Sequence, residues 1–462
     1  MPEALWTADE IAKAVGGEVA GDFTVTGVSI DTRSVEPGDL FVPLVGARDG
    51  HEFVPQAVAS GATGVLAAKA VDAPAVMVAD TFKALEALGV AARERAPQCK
   101  RGAVTGSVGK TSVTRAVEAG LRLAGKAHAS VKSYNNHIGV PLTLARMPRD
   151  TQRAVFEVGM NHADEITPLS QFVRPHAVVI TTVGPVHLEN FADGEEGVAR
   201  AKAEIFAGLE PGGVAVLNAD NRWFDLLKAG AEKAGALVWS FGEAEGATAR
   251  LTGFAVDGEG ATVSVDLRGE ALSFPIRQTG VHWGPNSLCV LLMLEALDVP
   301  RETALAALAA FAPIEGRGAE KTVRIDGGAF TLVDESYNAN PVSMQAALKT
   351  LGARKVAGRR VAVLTDMLEL GEGSSRFHAE LAEPIARANV DVVFLAGVHM
   401  KSLWEALPPT RRGGYAEVTE KLTTALAGAI KPGDVVMVKG SNGSRAGVLA
   451  GALAALDLGE QG

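Results

Sequence analysis

Cysteine is nearly absent. The 462 residues carry two, Cys99 and Cys289, far apart and without ligand-like spacing. This excludes a disulfide framework or a cysteine-held metal as the organising feature. Aromatic residues make up only 5%, while alanine, glycine and valine are plentiful, a globular rather than a disordered composition. There is no excess of basic charge: 44 Lys and Arg face 54 Asp and Glu, for a net −10. With no dominant basic face, nucleic acid and an anionic membrane surface are both poor partners. Long apolar runs are missing too, since "AGVLAGALAAL" near the C-terminus is too short to span a bilayer. "MPEALWTADEIAKAVGG" lacks a basic segment followed by an apolar one, so no signal peptide is expected. A cytoplasmic enzyme or binding protein, monomeric by default, is the starting expectation.

A chain of this length predicts two to four domains. "TADEIAKAVGGEV" predicts a helix with Thr7 as N-cap and Glu10 closing a capping box. "VTGVSIDTRSV" and "DLFVPLVG" are β-rich, "HEFVPQAVASGA" reads as a helix ended by Gly61, and "ATGVLAA" and "PAVMVAD" read as buried strands. "ERAPQCKRG" breaks the pattern and sets a first boundary, giving a unit of residues 1–98. From 99 to 313 strand and helix alternate through "GAVTG", "RAVFEVG", "HAVVITTVG" and "GVAVLNAD", the signature of a mostly parallel sheet. Within that unit "ATARLTGFAVDGEGATVSVDLRG" predicts antiparallel strands joined by Asp-Gly turns. "AAFAPIEGRGAEK" marks the second boundary. Residues 314–462 form another α/β unit, with strands at "FTLVDE", "RVAVLTD", "DVVFLAG" and "DVVMVKG". The expectation is three α/β domains, with a central phosphate-loop domain and a Rossmann-like C-terminal one.

"TGSVGKTS", residues 105–112, nearly matches a phosphate loop, although Val104 stands where the strict pattern asks for its first glycine. Gly106 and Gly109 let backbone N–H groups approach phosphate oxygens, with Ser107 and Val108 between them. The helix starting at Lys110, Thr111 and Ser112 points its positive end at the same place. Lys110 can reach outer phosphates and the Thr111 hydroxyl can hold a magnesium ion. Glu157 ends the next evident strand, where it could hold a second metal or the first metal's water, or be a solvated cap. His187 follows a third strand at the carboxyl edge, where α/β ligands bind. Lys202 in "GVARAKAEIFAGL" is, on periodicity alone, an ordinary lysine of an amphipathic helix.

Taken in order, "TGSVGKTS", "SYNNHIGVPLTL", "FEVGMNHADEI", "TTVGPVHLENF", "AKAEIF", "IEGRG", "VDESYNANPVSM", "LTDMLELGEGS" and "VKGSNGSR" resemble the Mur ligases over essentially the whole chain. The resemblance implies ATP-dependent amide formation through an acyl phosphate. "SYNANP" and "LTDMLELGE" favour a member that joins D-Ala-D-Ala to UDP-N-acetylmuramoyl-tripeptide, with ATP and Mg²⁺. It implies β/γ-phosphate contacts for Lys110, a first magnesium at Thr111 and Glu157, a second at His187, and a carbamylated Lys202. It implies an adenine contact at Asn286 beside His282, a γ-phosphate contact at Arg317, and ATP contacts at Asp334, Glu335, Tyr337, Asn338 and Asn340. Asn135 and Asn136 would hold the muramoyl substrate, Asp31, Arg33 and Ser34 the uridine nucleotide, and Lys439, Ser441 and Arg445 the dipeptide. This chain departs from the family pattern at Trp283-Gly284, Glu335, His137 and Thr365. Other readings are a Mur ligase with another amino donor, a phosphate-loop NTPase or kinase, and a silent Mur-like binding protein.

Overall fold

The computed structural model describes residues 4–131, 133–257 and 260–459. Its centre is a nine-stranded sheet. From one edge the order is Glu270–Ile276, Ala261–Leu267, Ala249–Val256, Leu237–Gly242, Val214–Asn218, Ala177–Ile180, Lys100–Thr105, Arg153–Glu157 and Ala127–Ala129. The six strands from Leu237–Gly242 to Ala127–Ala129 are parallel, and Ala249–Val256 joins them in parallel. The first three strands of that order pair antiparallel, as the alternating burial of Ala261–Leu267 requires of a strand with one wet face. The turn expected at Asp257-Gly258 falls partly outside the described residues. Apolar runs such as Ala177–Ile180, buried along their whole length, form the interior because helices cover both faces of the sheet. On one face pack the Lys110–Leu123 and Trp283–Ala296 helices; on the other, the Ile166–Val173 and Glu195–Ala203 helices.

The first unit carries a five-stranded sheet in the order Glu18–Ala20, Ala75–Met77, Gly64–Ala67, Asp39–Phe41 and Gly27–Ser29. Thr7 caps the Ala8–Val15 helix, and Glu10 reciprocates. The segment expected as one helix before Gly61 splits into a single 3₁₀ turn, Gly50–Phe53, and a helix over Val54–Ala59. The Asp49 side chain caps the turn through His51 N, and Pro55 sits in the first turn of the helix, where its missing N–H costs nothing. The last unit is a six-stranded sheet in the order Ala319–Ile325, Gly328–Glu335, Val435–Lys439, Arg360–Thr365, Val392–Ala396 and Arg412–Ala416, parallel except for its first pair. Among the described residues no helix is long and apolar enough to cross a membrane.

Candidate active site

Three adjacent central strands deliver the site. The phosphate loop follows Lys100–Thr105, Glu157 ends Arg153–Glu157, and Thr181 and Thr182 follow Ala177–Ile180. All three leave the sheet at its carboxyl edge, where its strand order runs out to either side of the first strand. The helix can start at Lys110 because Gly109 takes φ +88 as its N-cap. Gly106 has φ +147, and a Cβ built there would stand 1.9 Å from Thr181 Oγ1. Only glycine fits between these two strand ends.

These residues line a cleft of about 490 Å³ together with parts of the last unit. Ser107 to Ser112, Asn135, Glu157, His282 and Asn286 come from the central unit, and Arg317, Glu335, Tyr337, Asn338, Asn340 and Lys439 from the last. The Glu157 carboxylate is only 2% exposed. One oxygen accepts the Thr111 hydroxyl at 2.7 Å and the other the Asn135 amide at 2.8 Å. A hydroxyl and a buried carboxylate beside a phosphate loop are a hard oxygen pair suited to Mg²⁺, which takes most of its other ligands from phosphate and water. Among the described residues no group of three or more His, Cys, Asp or Glu is placed to hold a metal ion. The Lys110 amine donates to Gly106 O at 2.7 Å, and burial lowers its pKa. The Arg317 guanidinium lies 4.0 Å from the centre of the Tyr337 ring, whose hydroxyl reaches Ser133 Oγ of the central unit at 3.3 Å.

His187 and Lys202 are not among the residues that line the cleft. Lys202 is 2% exposed, and no acid pairs with it among the described residues. Burial, then the charge of Lys110, lowers its pKa well below the usual lysine value. Burial first, then the charges of Lys202 and Lys110, lowers the His187 pKa to about 4. Asp334 spends its carboxylate on Gly316 N and Ser336 N, which shapes the loop carrying Arg317. Asn340 caps the Pro341–Ala353 helix, and Asn136 accepts from Ile138 N and Gly139 N.

The Lys439 amine lines the cleft, 3.3 Å from Glu335 and 3.0 Å from Asn338 O. Ser441 braces Leu368 N and Ala339 O, and Arg445 pairs with Glu420. Asp31 caps a 3₁₀ turn, Thr32–Ser34, and Arg33 folds back onto it at 2.6 Å. Trp283 is buried against Phe311, leaving His282 and Asn286 to face the cleft. Several lining residues were not anticipated: Ser133, Thr181, Thr182, Asn218, Pro285, Val342, Ala346 and Ala347. Thr181 and Thr182 were findable from their position after a strand. The alanines carry no chemical signal, and only tertiary packing brings them here.

A phosphate loop backed by a buried acid, and roofed by a separate α/β unit bearing an arginine, defines a nucleotide-dependent ligase-like site. Family models match along most of the chain: "Mur ligase family, catalytic domain" over residues 24–102, "Mur ligase middle domain" over 104–294, and "Mur ligase, glutamate ligase domain" over 321–442. The chain belongs to the Mur ligase family. Among its relatives is the UDP-N-acetylmuramoyl-tripeptide–D-alanyl-D-alanine ligase of Rickettsia prowazekii, 32% identical, with 95% of this chain and 97% of that one covered. The Escherichia coli protein of the same name is 34% identical, covering 85% and 86%. A crystal structure of MurF from Acinetobacter baumannii superposes with a TM-score of 0.86 at 28% identity, covering 98% of this chain and all of that one.

Proposed function

We propose that this chain is a cytoplasmic, monomeric ligase that uses ATP to join D-Ala-D-Ala to UDP-N-acetylmuramoyl-tripeptide. The observation that carries the reading is the composite cleft, built from the phosphate loop on one side and Arg317, Glu335, Tyr337 and Asn338 on the other. A kinase needs only the first wall and a substrate hydroxyl. A ligase that makes an acyl phosphate must neutralise a carboxylate and a triphosphate at once, then admit an amine, and a closing cationic unit suits that task. The relatives named above supply the substrate pair.

In this reading the triphosphate lies along the loop N–H groups from Gly106 to Ser112, with Lys110 against its outer phosphates. Pro285, Val342, Ala346 and Ala347 form an apolar wall for adenine, and His282 and Asn286 supply polar contacts. Thr111 and Glu157 would hold one Mg²⁺ and His187 with Lys202 a second, which would supply Lewis-acid neutralisation of the phosphates. Arg317 steadies the phosphoryl group as it passes to the tripeptide carboxylate. The dipeptide amine then displaces phosphate from the acyl carbon, forming the amide bond. Asn135 and Asn136 face the acceptor, Asp31, Arg33 and Ser34 its nucleotide, and Lys439, Ser441 and Arg445 the dipeptide. Units of residues 1–98, 99–313 and 314–462 divide these tasks.

The test is phosphate release from ATP with UDP-N-acetylmuramoyl-tripeptide, with and without D-Ala-D-Ala. Release that requires both, with a pentapeptide product, is the expected result. Release with the tripeptide and a different preferred amine removes the donor assignment, and ATP hydrolysis indifferent to both substrates removes the ligase reading.

A further inference from the structure

Opposite His187 stands a carboxylate that belongs to the last unit. Glu369 Oε2 lies 2.8 Å from His187 Nδ1. Both residues hold backbone conformations that side chains with a Cβ seldom adopt, φ +54 at His187 and +62 at Glu369. The loop that presents Glu369 is pinned on the residues before it. The Asp366 carboxylate accepts from His399 N and Met400 N. Met367 N donates to His378 Nε2 at 2.9 Å, and the other ring nitrogen of that buried histidine donates to Ser374 O at 2.7 Å. Leu368 N donates to Ser441 Oγ at 3.0 Å, and Leu370 is buried. On the far side Gly371 comes so close to Glu189 that an added Cβ would stand 3.2 Å from its Cβ. The carboxylate therefore projects from a braced loop onto the ring of a residue in another unit.

We infer that Glu369 is a positioning residue for His187, supplied across the domain boundary. With Oε2 2.8 Å from Nδ1, a small turn of this half-exposed carboxylate lets it accept from Nδ1–H and leaves the Nε2 lone pair free for a cation. Histidines that hold cations commonly have such a carboxylate behind them. Here it arrives with the last unit, so docking of that unit completes His187. The inference rests on the reading of His187 as a cation ligand given above.

The experiment uses the full chain labelled with ¹⁵N-histidine and free of magnesium, at a pH where the imidazoles are neutral. The His187 signal is assigned by its loss in His187→Gln. The wild type and Glu369→Gln, whose amide oxygen still accepts, should show the Nδ1–H tautomer. Glu369→Ala should move to the Nε2–H form favoured by free imidazole. Ligation by Glu369→Ala should fall about tenfold to a hundredfold in kcat, with KM for the UDP-tripeptide unchanged, and Glu369→Gln should recover most of the loss. A tautomer unmoved in Glu369→Ala overturns the inference. So does a Glu369→Gln variant as impaired as Glu369→Ala with a raised KM for D-Ala-D-Ala, since the carboxylate charge would then be receiving the dipeptide ammonium. If the tautomer follows Glu369 but His187→Gln ligates normally, the contact stands and the assignment of His187 to a cation falls.

Discussion

Lys202 shows how burial converts an ordinary residue into a reactive one. Its amine lies 2% exposed on the inner face of the Glu195–Ala203 helix, and desolvation reinforced by Lys110 disfavours its protonated form. A neutral amine is a nucleophile toward CO₂. Its addition to CO₂ would give a carbamate and release one proton, so that a neutral amine would become an anion suited to the proposed magnesium ions. Lys202→Ala should lower kcat at least about a hundredfold, the scale of losing one dedicated electrostatic group, and a small anion such as bicarbonate should restore part of it. Near-wild-type turnover by the variant would remove the carbamate role. Lys110, Thr111 and Glu157 are legible in the sequence because each sits at a strand end or helix start that apolar runs and glycines announce. Lys202 is legible only through resemblance, since helical periodicity makes it one more surface lysine. Glu369 lies in "LTDMLELGE", a segment that carries the resemblance, yet nothing local marks its side chain for this contact, because the partner is a ring from a distant segment.

At the scale of elements, the strands expected from apolar runs are present at the sheet centres, while the edge strands were hidden. Ala127–Ala129, Ala319–Ile325 and Arg412–Ala416 are short or polar, and they form because a neighbour offers a free row of backbone groups. His128 lies on the first of these. Its Nε2 donates to Thr143 O at 2.7 Å, tying the edge strand to the Gly139–Ala145 helix. Burial, only partly opposed by that bond, lowers its pKa to about 4; Glu118 acts to raise it and Arg146 and Arg122 to lower it. The folded protein therefore refuses a proton that the unfolded chain accepts near pH 6.5. This contribution to stability is complete above pH 6.5 and is lost as the pH falls toward 4. It amounts to about 1–3 kcal/mol, the lower end applying because the residue is partly exposed. His128→Gln keeps a donor for Thr143 O and removes the titration, so its urea midpoint should drop less between pH 7 and pH 5 than that of the wild type. Equal drops would place the acid sensitivity elsewhere.

At the scale of the whole molecule, the two interfaces of the central unit differ in kind. Toward the first unit it includes a shared apolar core: Leu142 and Ala145 of the Gly139–Ala145 helix pack with Leu85, Leu88 and Ala92, and Trp6 Nε1 donates to Ala145 O at 2.9 Å, with arginine bonds such as Arg146 to Val28 O around it. Toward the last unit no hydrophobic cluster is shared among the described residues. Polar contacts do much of the joining there: the His187–Glu369 pair, Val281 N to Thr350 Oγ1, Tyr337 to Ser133, and Thr279 Oγ1 donating to Glu320 at 2.6 Å while accepting from Arg354 at 2.8 Å. Bonds that water can replace permit opening, whereas a shared core does not. The first two units should therefore move as one body and the last should swing about the segment near Gly316 and Gly318, whose φ values of +71 and +95 suit a hinge. Thr279→Val removes both of its bonds across the interface while leaving the Glu320–Arg354 pair intact within the last unit. Small-angle scattering should then show a larger radius of gyration without nucleotide and recovery on adding ATP. KM for ATP should rise about threefold to tenfold, the value of one ordinary hydrogen bond at an exposed site. The melting temperature should hold, because each unit keeps its own core. An unchanged radius and KM would mean that the last unit is held by something other than these bonds, and the hinge would have to be sought elsewhere in the chain.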